Sequence, residues 1–307
     1  MKLAFFNDYR LGVVRGDAIV DVSAEVADVP HTGPHNLISN LIGDFARYRT
    51  RLEAAAARGA AIPLATVTLR PPLPRPGNII CMAVNYMEDG TRTEPAAINA
   101  FNKASTAVIG PGGTMVLPDL AATIFEGEAE LAVVIGKTAT NVKAADAMAH
   151  VFGYTCFIDG SARGVPAFYQ MKSRETFAPI GPWIVTADEI ADPQKLQVRL
   201  WNNGELKQNF NTDDMAHKIA RCIEWVSSVH TLLPGDILAT GTNHRGLHAF
   251  QDGDRIELEV EQVGKLSITV RDDLKRSWGR DTRLERHGMK PETSPQLTGK
   301  YAPGNQG

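Results

Sequence analysis

"IFEGEAELAVVIGK", residues 124–137, sets Glu126, Glu128 and Glu130 at every second position and then runs into unbroken apolar sequence. Side chains at i, i+2 and i+4 of a strand lie on one face, about 7 Å from one to the next, so a strand here aims three carboxylates in one direction. The continuation LAVVIG has no polar alternation, which is the pattern of a strand covered on both faces. Acids at the mouth of a buried strand need a counter-charge. Two readings stand: a hard-cation site, since carboxylate oxygens are the ligands that Mg²⁺, Mn²⁺ and Ca²⁺ select, or an acidic strand face held by salt bridges or solvent.

A second acid favours the cation. In "GYTCFIDGSARG", residues 153–164, a β-rich apolar run from Val151 to Ile158 leads directly to Asp159. An acid at the end of one buried strand, converging with a pair at the mouth of another, makes a site of three carboxylates. Such a site leaves positions for water and a chelating substrate, the arrangement expected of Mg²⁺, which dehydrates reluctantly. No His pair or Cys cluster is spaced for zinc. Cys81, Cys156 and Cys222 lie inside apolar runs without C-x-x-C spacing and read as reduced core thiols.

The rest of the chain places this site in a β-rich unit. The prolines of "LRPPLPRPGN", residues 69–78, are the strongest punctuation. They set a boundary between a small N-terminal α/β domain, residues 1–72, and a larger β-rich domain, residues 73–275, followed by a polar tail or arm, residues 276–307, that is mobile or laid on a neighbour. The N-terminal part reads as a short β-meander, then one amphipathic helix from Asn36 into the Ala-rich EAAAARGAA. Beyond residue 78 come many strand-like runs with Gly, Pro and Asp turns between them, interrupted by one helix from about Asp213 to Leu232 with Ile219, Ile223, Val226 and Val229 on one stripe. The fold class is α+β, mainly β. No β-α alternation, G-x-G-x-x-G or P-loop supports a nucleotide fold.

Composition bounds the partners. The 307 residues are 43% hydrophobic with a formal net charge of -3. That is enough for a sizeable core and offers no basic footprint for nucleic acid or an anionic membrane, so a small-molecule partner is expected. No signal peptide or spanning helix is visible, and a cytoplasmic protein is expected.

Five stretches in order, EAELAVVIGK, GYTCFIDGSAR, KSRETFAPIGPWIVT, LPGDILATGT and QDGDRIELEVEQVGKL, resemble the fumarylacetoacetate hydrolase superfamily from about Asn78 to Val270. The resemblance implies a mixed β-roll catalytic domain behind a smaller N-terminal domain, a homodimer, and Mg²⁺ or Mn²⁺ on Glu128, Glu130 and Asp159. It also implies that Lys172 steers a substrate carboxylate or stabilises an enolate, the alternative being a purely electrostatic partner of the acids. Thr242 matches a threonine that contacts the substrate carboxylate, while Tyr86 and Lys103 match the pocket lining, with plain packing the alternative for the tyrosine.

Two departures bear on the base. Family hydrolases commonly carry NYxxHxxE, where a His–Glu pair activates water; this chain has NYMEDGTR, with Asp89 at the His position and Arg92 at the Glu position. The common TGTP is TGTNHRG, which puts Asn243, His244 and Arg245 at the rim. His244 or Asp89 is then the candidate base, with a solvated side chain the alternative for His244. Arg92 and Arg245 are candidates for a second substrate carboxylate, or else surface arginines. The expected activity is metal-dependent hydrolysis of a carbon–carbon bond in a 2-oxo or 2,4-dioxo acid. Decarboxylation, tautomerisation or isomerisation through a metal-bound enolate is the alternative, and a catalytically silent metal-binding protein is the reading from another class.

Overall fold

The computed structural model describes residues 1–286 and 294–304. Its organising element is the acidic strand itself, Ile124–Ile135, buried at every position. It pairs antiparallel with Val151–Arg163, and these two long strands lie inside a 12-stranded sheet. On one side the sheet continues through Ala178–Thr186 to the N-terminal meander, and on the other through Ile237–Ala239 and Ile79–Met82 to Ala100–Lys103. A second, five-stranded sheet, Glu205–Asn211, Gln197–Asn202, Arg255–Val260, Gly264–Arg271 and Thr114–Val116, packs against it. The mainly-β α+β class and the mixed sheets expected from the sequence are present.

The two faces of the acidic strand explain its composition. Phe125, Ala129, Leu131, Val133 and Ile135 enter the larger core with the five-stranded sheet. The opposite face carries Glu126, Glu128 and Glu130 and then continues as Ala132 and Val134 into a second core with Leu3, Phe5, Ile42, Leu52 and Ile180. One face therefore changes along its length from buried carboxylates to apolar core. Gly127 is required between the acids, because a Cβ there would lie 2.3 Å from Phe250 Cε2.

Several local expectations are revised. Asp159 is not at a strand end: pairing runs on through Gly127↔Gly160, Glu126↔Ser161 and Ile124↔Arg163. The N-terminal helix is two helices, Pro34–Gly43 and Phe45–Arg58, broken at Asp44. Asn36 lies inside the first of them, where its Oδ1 accepts from the Thr32 and Gly33 amides. The later helix spans only Ile219–Val229, because Thr212–Asp214 forms a separate 3₁₀ turn capped by Asn211. Val229 is 67% exposed and so leaves the apolar stripe.

The proline-rich segment does not separate two sheets: Lys2 pairs with Val185 and Leu3 with Ile184, carrying one sheet and one core across residue 72. The polar C-terminal segment also does not hang free where it is described. Trp278 is buried and donates to the Thr123 carbonyl, and Arg276 forms a fully buried pair with Asp272. Residues 287–293 and 305–307 of the expected tail lie outside the described residues. The three cysteines are free and buried. Among the described residues, no helix is long and apolar enough to cross a membrane.

Candidate metal and active centre

The register sets the acids. Glu128 stands opposite Asp159 across the antiparallel pair, and Glu130 lies two residues further on the same face. Candidate ligand oxygens of Glu128, Glu130 and Asp159 all lie within 4.8 Å of one another, and all three residues are buried. Glu130 Oε2 accepts from the Gly241 amide at 2.7 Å, whereas its Oε1 is buried with no hydrogen-bond partner among the described residues. A buried carboxylate oxygen without a donor is costly, and an all-oxygen donor set of three carboxylates fits a hard divalent cation.

Fixed cations surround the acids. Lys172, at the end of the short helix Phe168–Lys172, is 2% exposed and donates to Glu128 Oε1 at 2.7 Å and Asp159 Oδ2 at 2.5 Å. Its ammonium also lies 5.0 Å from the Phe101 ring centroid. Arg163 bridges Glu126 and Glu128, and Arg283 from the C-terminal segment pairs with Glu126 at 2.6 Å. Glu126 is therefore a partner of arginines and stands outside the cluster of three carboxylates.

Charge separates the two central glutamates. Burial pushes Glu128 up, but Lys172 and Arg163 together outweigh it and hold its carboxyl well below the usual range. Burial also pushes Glu130 up, and there the Asp159 and Glu128 charges add to the effect, so its carboxyl sits well above the usual range. Burial lowers Lys172, yet Asp159 and Glu128 more than reverse this and raise it.

Lys103 and Lys172 take different parts. Lys103 is buried and spends three donations inside the protein, on Asp159 Oδ1, the Gly160 carbonyl and the Lys172 carbonyl. An ammonium has only three protons, so Lys103 positions Asp159 and the Lys172 helix and has none left for a substrate. Its contacts in this structure are thus to Asp159 and the Lys172 helix, beside the pocket lining where it was expected. Lys172 commits two donations to carboxylates and, among the described residues, keeps one.

Thr242 is buried beside Glu130, in the loop whose Gly241 amide binds that carboxylate. Gln208 sets its polarity: Oε1 accepts from the Ala129 amide, so the other end must be the NH₂ group, which donates to Thr242 Oγ1 at 2.9 Å and to the Asn243 carbonyl at 3.2 Å. The Thr242 proton is thereby left to donate elsewhere. Tyr86 is fully buried with its ring edge-on to Phe210, 5.0 Å between centroids, and among the described residues its hydroxyl has no hydrogen-bond partner. Burial pushes that phenol well up.

At the rim, the expected set does not come together. Asp89 is exposed and paired with Arg245 Nη1 at 2.9 Å, so the two side chains face each other at the surface. Arg92 is exposed. His244 instead meets Glu88, which sequence reasoning passed over: Glu88 Oε1 lies 2.6 Å from His244 Nδ1, and Oε2 accepts from the His244 amide at 2.8 Å. The available signal was an acid adjacent to Asp89, one position before the place where the family pattern puts its imidazole.

Residues 78–271 match the fumarylacetoacetate (FAA) hydrolase C-terminal family. The chain is 35% identical to the maleylpyruvate hydrolase of Aquipseudomonas alcaligenes over 291 residues, covering 88% of this chain and 99% of that one. It is also 35% identical to a mitochondrial oxaloacetate tautomerase of Bos taurus over 269 residues, covering 81% of this chain and 82% of the other. A crystal structure of maleylpyruvate hydrolase from Sphingobium sp. SYK-6, in complex with manganese(II) ion and pyruvate, superposes with a TM-score of 0.81 at 41% identity, covering 89% of this chain and 99% of that one.

Proposed function

The chain belongs to the fumarylacetoacetate hydrolase family, and we propose that it is a divalent-metal-dependent hydrolase cleaving the C3–C4 bond of a 2,4-dioxo acid of the acylpyruvate type, with Mg²⁺ or Mn²⁺ on Glu128, Glu130 and Asp159. The observation that carries this reading is Glu130, a buried carboxyl with one oxygen unpartnered beside two other carboxylates. Burial and the Asp159 and Glu128 charges push its carboxyl well above the usual range, so its charged form calls for a cation beside it. Charge then favours an anionic substrate. Glu126, Glu128, Glu130 and Asp159 are matched by Lys103, Arg163, Lys172 and Arg283, so a divalent ion leaves about two net positive charges. A carboxylate together with a developing enolate matches them.

A divalent ion here supplies a Lewis acid for a chelated carboxylate and 2-oxo group. The protein groups orient and complete the site. Thr242 donates its free hydroxyl proton to the substrate carboxylate, a polarity imposed by Gln208. Lys172 offers its remaining donor to the negative charge that grows on the 2-oxo oxygen as the C3–C4 bond breaks. The maleylpyruvate hydrolases at 35% and 41% identity support hydrolysis of this substrate class. Pyruvate, present in the Sphingobium complex, is the three-carbon fragment that acylpyruvate cleavage releases.

The test is loss of near-ultraviolet absorbance and release of pyruvate from a panel of acylpyruvates, with oxaloacetate assayed in parallel. The enzyme is first stripped with chelator and then restored with Mg²⁺ or Mn²⁺. Metal-restored pyruvate release from acylpyruvates is expected. Enol–keto exchange of oxaloacetate with no acylpyruvate cleavage would replace the reading by tautomerisation.

A further inference from the structure

We propose that Glu88 and His244 form the base dyad of the hydrolytic step, with His244 Nε2 taking the proton of the attacking water and Glu88 positioning the ring. This rests on the acylpyruvate-hydrolase reading above and names the base that reading lacks.

The hydrogen-bond polarity of the pair selects the nitrogen. Both Glu88 oxygens engage His244, one on Nδ1 and one on its backbone amide, so the ring is clasped at two points. A carboxylate only accepts, so the Nδ1 position carries the proton and the neutral ring keeps its lone pair on Nε2. Among the described residues, Nε2 has no hydrogen-bond partner. The Glu88 side chain is 9% exposed and that of His244 is 22% exposed, so the acid is enclosed while the imidazole reaches solvent.

The loop that carries His244 is tied residue by residue to the metal strand. Gly241 N donates to Glu130 Oε2, and Gln208 joins Thr242 and Asn243 to the amide of Ala129, the residue between Glu128 and Glu130. His244 follows directly, with its Cα at most about 11 Å from that of Gly241. The opposite loop is aimed by an unusual backbone. Glu88 and Asp89 are consecutive non-glycine residues with φ of 56° and 52°, the left-handed region that side chains disfavour. This turn sends Glu88 inward and Asp89 outward to Arg245. Asp214 braces both loops, accepting from the Met87 amide through its carbonyl and from the Asp89 amide and the Asn243 side chain through its carboxylate. The imidazole and carboxylate that the family places together on one loop are here supplied by two loops, with the acid on the first.

The step balances without another reactant. Water gives one proton to His244 Nε2, and its oxygen bonds to the C4 carbonyl carbon. The C3–C4 bond then breaks with its electron pair on C3, as the enolate of pyruvate. That carbon takes up a proton, which His244 returns, and the acid fragment leaves as its carboxylate after giving the second water proton to solvent.

The experiment uses the Mg²⁺-loaded full chain and compares His244→Ala, His244→Asn and Glu88→Gln with the parent. The asparagine variant keeps an N–H where Nδ1 donates to Glu88 and removes only the Nε2 position, so it separates loss of the base from loss of the fold. Expected is a fall in kcat of about 10²–10⁴-fold for both His244 variants, the range of general-base catalysis, and a smaller fall for Glu88→Gln. KM and inhibition by oxalate, a mimic of the pyruvate enolate, should stay within about three-fold, since they depend on the metal, Lys172 and Thr242. Added imidazole should partly restore His244→Ala. A His244→Asn enzyme with kcat within about three-fold of the parent would overturn the dyad while leaving the hydrolase reading intact. A parent that binds Mg²⁺ and oxalate but cleaves no acylpyruvate would overturn the hydrolase reading itself.

Discussion

Glu128 faces Asp159 across the antiparallel register, and one ammonium, that of Lys172, bridges the two at 2.7 and 2.5 Å. Two carboxylates brought together by strand pairing thus share one cation, while the third, Glu130, is excluded from that pairing and, among the described residues, left with an unpartnered oxygen. Stability and metal binding therefore respond differently to each member.

Glu130→Gln is the first consequence. Burial and two neighbouring carboxylates already favour an uncharged side chain, so an amide costs the metal-free protein little and can raise its Tm. The same change removes a ligand charge. At a metal concentration of 100 Kd the parent should gain about 2.7 kcal/mol by linkage, and the variant should gain none. Thermal unfolding with chelator and with excess Mg²⁺ checks this; an unchanged metal-induced rise in Tm would remove Glu130 from the ligand set.

Lys172→Met acts the other way. Without metal it leaves Glu128 and Asp159 facing each other with a bridging charge lost, and removing one partner of a buried pair costs about 3–5 kcal/mol. A divalent ion replaces much of that charge, so the variant should be rescued by metal more strongly than the parent is stabilised by it. Its kcat should nonetheless fall about 10²-fold or more, because the uncommitted ammonium donor acts on charge that grows in the transition state. Metal-rescued stability together with unchanged kcat would make Lys172 a purely structural counter-ion.

These centres differ in how far they are legible in the sequence. The triad is legible because strand period and burial are local: acids at i and i+2 running into an apolar stretch can only face one way. The Glu88–His244 contact is not, since it joins residues 156 positions apart and depends on two left-handed residues in a row. Matching to the family pattern points to Asp89 as the inward residue, but the turn reverses which of the two neighbouring acids is enclosed. The C-terminal segment misleads because composition shows charge but not its partners: Arg276 and Arg283 are polar in sequence yet sit in pairs with Asp272 and Glu126. The break at Asp44 likewise leaves the apolar spacing of the N-terminal helices intact while ending one helix and starting another.

His248 makes stability fall with acid. It is 1% exposed, and burial lowers its imidazole to about 4 from an ordinary 6.5. Above about pH 6.5 neither state is protonated and nothing is lost; as pH falls toward 4 the unfolded chain binds a proton that the folded chain refuses. The loss between pH 7.5 and 5.0 amounts to about 2 kcal/mol, and it should be missing in His248→Gln, whose amide can still accept from Asn202. Denaturant unfolding at both pH values measures the difference, and equal pH dependence in parent and variant would contradict it.

Gln208 offers the sharpest test of how the substrate carboxylate is held. In the parent, the Ala129 amide forces Oε1 to be the acceptor end, so the NH₂ end donates to Thr242 and the threonine proton points away. Gln208→Glu keeps the shape and the Ala129 bond but turns the other end into an acceptor. Thr242 would then donate to the introduced carboxylate and meet the substrate with a lone pair, next to an added negative charge. The loss of a hydrogen bond to a charged group, about 1.5–3 kcal/mol, predicts a rise in KM of about ten-fold or more, with metal affinity measured by calorimetry nearly unchanged because Glu128, Glu130 and Asp159 keep their partners. Thr242→Val should raise KM to a similar extent, and combining it with Gln208→Glu should add little, since both remove one donor. Fully additive effects would mean that Gln208 acts on the substrate by a route other than the threonine.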